Sequence, residues 1–134
     1  MPHYLGISAS DHTRLPWTTA HGDFHFANLC APHLHILDWE GWGLAPAGYD
    51  AATLHSYSLL APDAAADITR ELAHLLHTPS GRYAELAVIT ELLHAASQGG
   101  NPTLAEPLHR RATVILKRGA CRNRRPASYP AGLR

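Results

Sequence analysis

The stretch His21-Gly-Asp-Phe-His-Phe-Ala-Asn28 is followed by Ile36-Leu-Asp-Trp-Glu40 and then by Gly48-Tyr-Asp50. Within 30 residues it gathers carboxylate, amide and imidazole side chains that a purely structural loop does not need. Carboxylate and amide oxygens are the ligands that Mg²⁺ prefers, and a carboxylate can also accept a proton. The stretch therefore predicts a loop with a catalytic or metal-binding role.

A short β-hairpin is predicted over residues 28–37. Two β-like runs, 28–31 and 34–37, flank the turn-prone pair Pro32-His33. If these strands pair, Asn28 and Asp38 become neighbours although they are ten residues apart. The hairpin would thus bring two candidate metal ligands together.

The rest of the chain is predicted to be helical. Residues 51–60 are apolar nearly all round, which indicates a buried helix, and helical periodicity follows over 63–77 and about 81–97. Pro79-Ser-Gly81 is expected to interrupt the helical structure and so to separate these two helices. Thr103-x-x-Glu106 is a capping-box pattern that opens a last helix, with Gly119 after its end. The fold class is therefore mainly α with a small β-hairpin.

Composition excludes several classes of protein. Apolar residues make up 46% of the 134 residues and charged residues 16%, and no apolar run approaches the roughly 20 residues of a membrane helix. No signal peptide is evident, so a cytoplasmic location is predicted. Cys30 and Cys121 form no CxxC pair, which argues against a disulfide framework. Five histidines are expected to be ordinary, partly exposed helix residues: His55, His74, His77, His94 and His109.

Charge is distributed unevenly along the chain. Eight of the 11 basic residues lie in 110–134, which contains no acidic residue. Residues 119–134 are predicted to be a basic flexible tail, because they contain few apolar side chains that could be buried. Binding to nucleic acid is not predicted, since no recognisable nucleic-acid-binding motif accompanies the basic segment.

The polar stretch resembles the signature of the aminoglycoside phosphotransferase and choline kinase superfamily. That signature is an HGDxHxxN loop, a hairpin that ends in I-D-W or I-D-F, and a Gly-Asp element before a buried helix. Here it runs from His21 through Ile36-Leu-Asp38 to Asp50. The resemblance implies the C-terminal lobe of a protein-kinase-like α+β fold. It also implies transfer of the γ-phosphoryl group of ATP or GTP to a hydroxyl of a small molecule, with Mg²⁺.

The resemblance also assigns roles to single residues. It implies that Asp23 is the catalytic base, and that Asn28 and Asp38 bind Mg²⁺. His21, His25 and Asp50 would support the loop, with Asp50 bonded to its backbone, and Glu40 would lie near metal or substrate. The domain division that follows is an irregular segment over 1–20, a lobe over 21–118 and the tail over 119–134. Within the lobe come the catalytic loop 21–28, the hairpin 28–37, the metal loop 38–50 and the helices 51–118.

The nucleotide-binding half of such an enzyme is not evident. Kinase-like folds hold the phosphates with a strand-rich N-terminal lobe and its lysine, but only 20 residues precede His21 and the one lysine is Lys117. The N-terminal lobe is therefore expected to be missing, and no nucleotide-binding lysine is assigned. Hence the chain is either a truncated phosphotransferase that can be inactive alone, or a non-catalytic or partner-completed kinase-like lobe. The acceptor remains open. The acidic composition before Arg110 suits a cationic, hydroxylated substrate.

A metal-dependent phosphoesterase or other hydrolase is the second alternative. Asp23-x-His25 is the kind of pair that opens a binuclear metal site, and His33 and His35 could add nitrogen ligands. The further GNH[DE] and GHxH motifs of that class are not present in the sequence. The phosphotransferase is therefore the preferred prediction.

Overall fold

The structure is a computed structural model, which describes residues 15–122 and the side chains of residues 15–120. Four strands form two small antiparallel sheets. β1 (Trp17–Ala20) pairs with β4 (Gly43–Pro46), and β2 (Leu29–Cys30) pairs with β3 (His35–Ile36). The predicted hairpin is thus confirmed, with shorter strands, and it lies in the connection between the two strands of the other sheet.

The strands β1 and β4 correct two sequence predictions. The segment 1–20 is not irregular throughout, since Trp17–Ala20 is a strand, and the metal loop 38–50 contains Gly43–Pro46 as its partner. Residues 1–14 lie outside the described part of the chain. Each strand is only four residues long, so the alternation that marks a strand barely develops. The partner strand that stabilises each of them is more than 20 residues away, and the β-propensity of the residues does not indicate which segment that partner is.

Five α-helices make up most of the described chain. They are α1 (Tyr49–Tyr57), α2 (Pro62–Glu71), α3 (Ala73–Leu76), α4 (Pro79–Ser97) and α5 (Ala105–Arg122). Short 3-10 helices lie at Phe26–Asn28, Trp39–Gly41 and Pro102–Leu104. The mainly helical fold with a small β element is therefore as predicted. None of the helices in residues 15–122 has the length and apolarity to cross a membrane.

Helix α4 is central and packs against both α1 and α5. The predicted buried helix is α1, whose residues 51–56 are all buried. Two apolar clusters form the core. The first cluster joins α1, α3 and α4, and its buried members are Ala51, Ala52, Leu76, Ala84 and Val88. The second joins α4 to α5 and to the 3-10 helix before α5, and its buried members are Leu86, Ile89, Leu104, Leu108 and Ile115.

Several helix ends differ from the sequence prediction. Pro79 does not separate two helices as predicted but is the first residue of α4, where its missing N–H costs nothing. Thr78, the residue before it, caps the helix, since its Oγ1 accepts the Gly81 N–H at 2.9 Å. The helix predicted over 63–77 is divided at Leu72. Helix α5 continues to Arg122, so 119–122 do not belong to a tail. The rest of the predicted tail, 123–134, lies outside the described residues.

Candidate functional site

Asp50 fixes the start of the polar loop to the buried helix α1. It is the second residue of α1, and its Oδ2 accepts the His21 N–H at 2.8 Å while Oδ1 accepts the Gly22 N–H at 3.1 Å. A carboxylate at a helix N-terminus is itself favoured there. One side chain therefore holds two consecutive backbone amides of the loop, which is the contact that the resemblance implied.

His21 connects the two halves of the site. It is buried, its Nδ1 accepts the Asp23 N–H at 3.2 Å, and its Nε2 lies 2.8 Å from the Leu37 carbonyl oxygen. Because Nδ1 accepts, the proton of the neutral ring is on Nε2, which donates to Leu37. The ring also contacts Trp39 edge-on, with centroids 4.6 Å apart. The backbone of Asp23 is thereby joined to the residue before Asp38.

Asn28 is held between the loop and the hairpin. Its Nδ2 donates to the Asp23 carbonyl oxygen at 2.9 Å and to Asp23 Oδ2 at 3.3 Å. The backbone carbonyl oxygen of Asn28 accepts the Leu37 N–H at 2.9 Å. Since both side-chain bonds use the amide nitrogen, the amide oxygen of Asn28 is left as an acceptor or metal ligand.

Asp38 has a backbone conformation that its side chain does not favour. Its φ and ψ are 59° and 67°, and it is the one non-glycine residue with positive φ in the described chain. Such a residue is uncommon and costs on the order of 1 to 3 kcal/mol, so the surrounding structure must hold it. The Asp38 side chain is exposed and does not cap the 3-10 helix that it precedes. Its carboxylate is thus available to a ligand.

The side chains of Asp23 and His25 contact each other on the loop. His25 Nε2 lies 3.2 Å from Asp23 Oδ1, and the Asp23 side chain is 48% exposed. The His25 ring packs on Tyr57 of α1 with centroids 4.7 Å apart. Burial and then the negative charge of Asp23 raise the pKa of the Tyr57 hydroxyl. Asp23 is therefore accessible to solvent while its neighbours orient it.

The remaining candidates are less closely connected. Glu40 is exposed in the 3-10 helix that follows Asp38, and its role stays a prediction. His33 and His35 are exposed on the hairpin turn and β3. Across residues 15–120, no three His, Cys, Asp or Glu side chains lie close enough together to hold a metal ion. The histidine-rich binuclear site of the hydrolase alternative is not assembled there.

The donors at the loop do fit Mg²⁺. This ion is bound through one or two carboxylates, and it keeps several waters or takes phosphate oxygens of the substrate. The Asp38 carboxylate and the Asn28 amide oxygen are hard oxygen donors on residues joined through Leu37. They would hold the ion at the mouth of the loop, where further ligands can come from phosphate and water.

A cavity of about 360 Å³ lies beside the loop, between the β1–β4 sheet and α4. Gly22 lies at its edge, and Tyr49 in its wall donates a hydrogen bond to Glu91 Oε2 at 2.9 Å. Burial, followed by the bond to Glu91, raises the pKa of the Tyr49 hydroxyl. The sequence does not predict this pair. Tyr49 lies within the Gly48-Tyr-Asp50 element, but Glu91 is 42 residues away and belongs to no motif, so only the tertiary fold brings the two together.

No protein-family model, no curated protein and no solved structure matches the chain.

Proposed function

We propose that this chain is the catalytic and metal-binding lobe of a small-molecule phosphotransferase of the aminoglycoside phosphotransferase type. The observation that carries the proposal is the connection of Asp23, Asn28 and Asp38. The Asn28 side chain bonds to Asp23, and the backbone of Leu37, next to Asp38, bonds to both Asn28 and His21. Three residues with the chemistry of phosphoryl transfer are thus joined within one local network.

The residues have distinct roles in this reaction. The acceptor hydroxyl oxygen forms a bond to the γ-phosphorus while the bond from that phosphorus to the nucleoside diphosphate breaks. The hydroxyl proton passes to the Asp23 carboxylate, which His25 orients and which is open to solvent. Asn28 and Asp38 hold Mg²⁺, which offsets the negative charge of the phosphates when bound. His21 and Asp50 keep these residues in position.

The acceptor is proposed to be a small, hydroxylated cation. The residues that line the cavity beside the loop include Glu91 and three aromatic residues, Trp17, Tyr49 and Tyr83. An ammonium group is attracted both by a carboxylate and by the faces of aromatic rings. Gly22 of the catalytic loop lies at the edge of the same cavity, so a ligand there would be near Asp23.

A partner-completed lobe is the second candidate, and the surface near the site favours it. Trp42 and Leu44 are exposed by 65% and 75%, and they lie two residues apart, just after the 3-10 helix and in β4. Exposed patches of large apolar side chains can mark an interaction site. The only lysine is Lys117, so a second body would have to supply the group that grips the phosphates.

A phosphoryl-transfer assay with labelled ATP or GTP and a panel of hydroxylated amines tests the proposal. We expect Asp23→Asn to lower transfer by about 100-fold or more while Mg-ATP binding persists, because general-base catalysis contributes factors of this size. Asp38→Asn should lose both transfer and binding. Asp63→Asn, an exposed carboxylate in the first turn of α2, is the matched control.

The other outcomes separate the alternatives. Metal-dependent nucleotide binding without transfer would favour the partner-completed lobe. Phosphoester hydrolysis that His35→Gln abolishes and Asp38→Asn leaves intact would favour the hydrolase. Transfer by Asp23→Asn at the rate of the unmodified chain would contradict the assigned base.

A further inference from the structure

A second cavity, of about 260 Å³, has arginines as half of its lining residues. It lies between the end of α3, the first turn of α4 and the part of α5 from Arg111 to Arg118, and it shares no lining residue with the cavity beside the catalytic loop. Three of its six lining residues are arginines and none is acidic. The six are Leu76, His77, Arg82, Arg111, Ile115 and Arg118.

Arg111 is held in position by a buried network. Glu85 is fully buried in α4, and its Oε1 lies 2.6 Å from Arg111 Nε and 2.7 Å from Nδ1 of the buried His55, while Oε2 lies 3.0 Å from Arg111 Nη2. Burial alone would raise the pKa of Glu85, but the hydrogen bonds from His55 and Arg111 outweigh it and lower that pKa. His55 is therefore not the partly exposed residue that the sequence predicted. The Glu85 bonds use Nε and Nη2, so Nη1 of Arg111 remains able to donate to a ligand.

The other two arginines complete the cationic wall. Arg82 Nη1 donates to the His77 carbonyl oxygen at 2.9 Å, which ties its guanidinium to the end of α3. Arg118 is exposed on α5, and within residues 15–120 it forms no ion pair. Glu85 offsets the charge of Arg111 only from the buried side. An anion in the cavity would thus face guanidinium groups from α4 and α5, with no carboxylate among the lining side chains.

We propose that this cavity binds the phosphate group of a small molecule, at a site separate from the catalytic loop. Planar guanidinium groups bond to phosphate oxygens through two N–H groups at once, and arginine is the preferred residue for this recognition. The cavity lies just below the range of about 300 to 1,000 Å³ that is usual for drug-sized ligands. Its ligand is therefore small. Leu76 and Ile115, both buried, supply an apolar base for the carbon atoms next to the phosphate.

A polymer of phosphates is the less favoured ligand. A nucleic-acid strand is bound along an extended basic groove, and stacking on aromatic rings adds to the affinity. The lining contains three arginines but no Phe, Tyr or Trp. The small, partly apolar cavity fits a single phosphate group better than a strand.

Titration of the full chain with inorganic phosphate, pyrophosphate and a short single-stranded oligonucleotide tests the proposal. Calorimetry gives the affinity, amide NMR shifts give the location, and EDTA removes any contribution from metal at the catalytic loop. We expect pyrophosphate to bind with one-to-one stoichiometry and to shift amides near residues 77, 82, 111 and 118. Arg118→Gln, which breaks no described ion pair, should weaken binding by about tenfold, a loss of about 1.4 kcal/mol.

Arg110→Gln is the matched control, because Arg110 is exposed on the same helix and contacts Glu106 instead of the cavity. It changes the net charge by the same amount, so it should change the dissociation constant less than twofold. Equal weakening by both variants would show that net charge alone attracts the anion, and would overturn the site. Amide shifts confined to residues 21–38, or preferential binding of the oligonucleotide, would overturn it as well.

Discussion

Asp38 carries the strongest local sign of function. A carboxylate with a left-handed backbone costs free energy that a structural loop could avoid by using glycine there. The His21 bond to the Leu37 carbonyl and the Leu37 bond to Asn28 hold the preceding peptide in place. These bonds hold the strained Asp38 backbone in one conformation, which is the preorganisation that we propose for a metal ligand at this position.

Asp50→Ala should loosen the catalytic loop. The change removes the acceptor of the His21 and Gly22 N–H groups, and hydrogen bonds to a charged group contribute about 1.5 to 3 kcal/mol each. We expect the free energy of unfolding to fall by about 3 kcal/mol, the lower end for two such bonds because both are only partly buried. Hydrogen exchange at these two amides should accelerate. Asp63→Ala, which removes an exposed carboxylate from α2, should leave their exchange unchanged. Unaltered exchange in Asp50→Ala would contradict the role of Asp50.

The sequence predicted the site residues unevenly. Asp23, Asn28 and Asp38 lie within 16 residues of one another, so their spacing and one short hairpin suffice to suggest that they meet. Glu85 and Glu91 lie on one helix, and their partners His55, Arg111 and Tyr49 are 26 to 42 residues away. Nothing local to either residue indicates a partner. Their contacts depend on how α1, α4 and α5 pack.

At the scale of elements, helices were more predictable than strands. Apolar residues recur at helical spacing along α4, which buries them against both α1 and α5, whereas β1 and β4 offer only four residues each. The sequence predicts a start of α4 near residue 81, two residues too late, because a proline can follow the end of one helix or begin the next. Proline also fits the first turn of a helix, because no helical hydrogen bond needs its N–H there. Thr78, the residue before it, accepts the Gly81 N–H and so caps the helix.

Two glycine substitutions should shift stability in opposite directions. Gly81 lies in the first turn of α4 against the backbone of Leu75 and Leu76, which a Cβ would overlap. Gly81→Ala should therefore lower the free energy of unfolding by about 1 to 3 kcal/mol. Gly119 in α5 has open space around its Cα, so Gly119→Ala should raise it by about 0.5 to 1 kcal/mol.

Urea unfolding of both variants checks this packing. The contrast between the two substitutions is the informative quantity, because both replace glycine by alanine within a helix. A Gly81→Ala chain as stable as the unmodified protein would show that α3 and α4 do not pack as closely as described.

At the scale of the whole molecule, Glu85 connects three helices. His55 of α1 and Arg111 of α5 both bond to it from either side of α4. Removing one member of a buried ion pair costs about 3 to 5 kcal/mol. Glu85→Gln should therefore destabilise the protein by about this amount near neutral pH, as measured by urea unfolding.

The same substitution has a defined pH dependence. The pKa of Glu85 is lowered in the folded protein, so its ionised form contributes stability above the pKa of the unfolded chain, near 4.3. That contribution is lost as the pH falls through the lower folded pKa. The difference between the unmodified protein and Glu85→Gln should thus shrink as the pH falls below about 4.3. A difference that stays constant from pH 7 to pH 3 would contradict the described network.

Large apolar side chains are exposed near the catalytic loop. Leu44 lines the cavity that Gly22 also lines, and Trp42, two residues before it, is exposed as well. This apolar edge lies next to the candidate site, and it is the observation behind our proposal that a second body completes the lobe. The sequence suggested this from its single lysine, but only the structure shows which side chains form that edge.

The central claim is that Asn28 and Asp38 form a metal site at the catalytic loop. Its most direct test is paramagnetic broadening of amide NMR signals when Mn²⁺, in place of Mg²⁺, is added to the full chain with and without ATP. We predict that signals at residues 23, 28 and 38 broaden first, that Asp38→Asn abolishes this and that Asp63→Asn does not. Broadening that is unaffected by Asp38→Asn, or that is spread over the exposed carboxylates of α2, would contradict the claim.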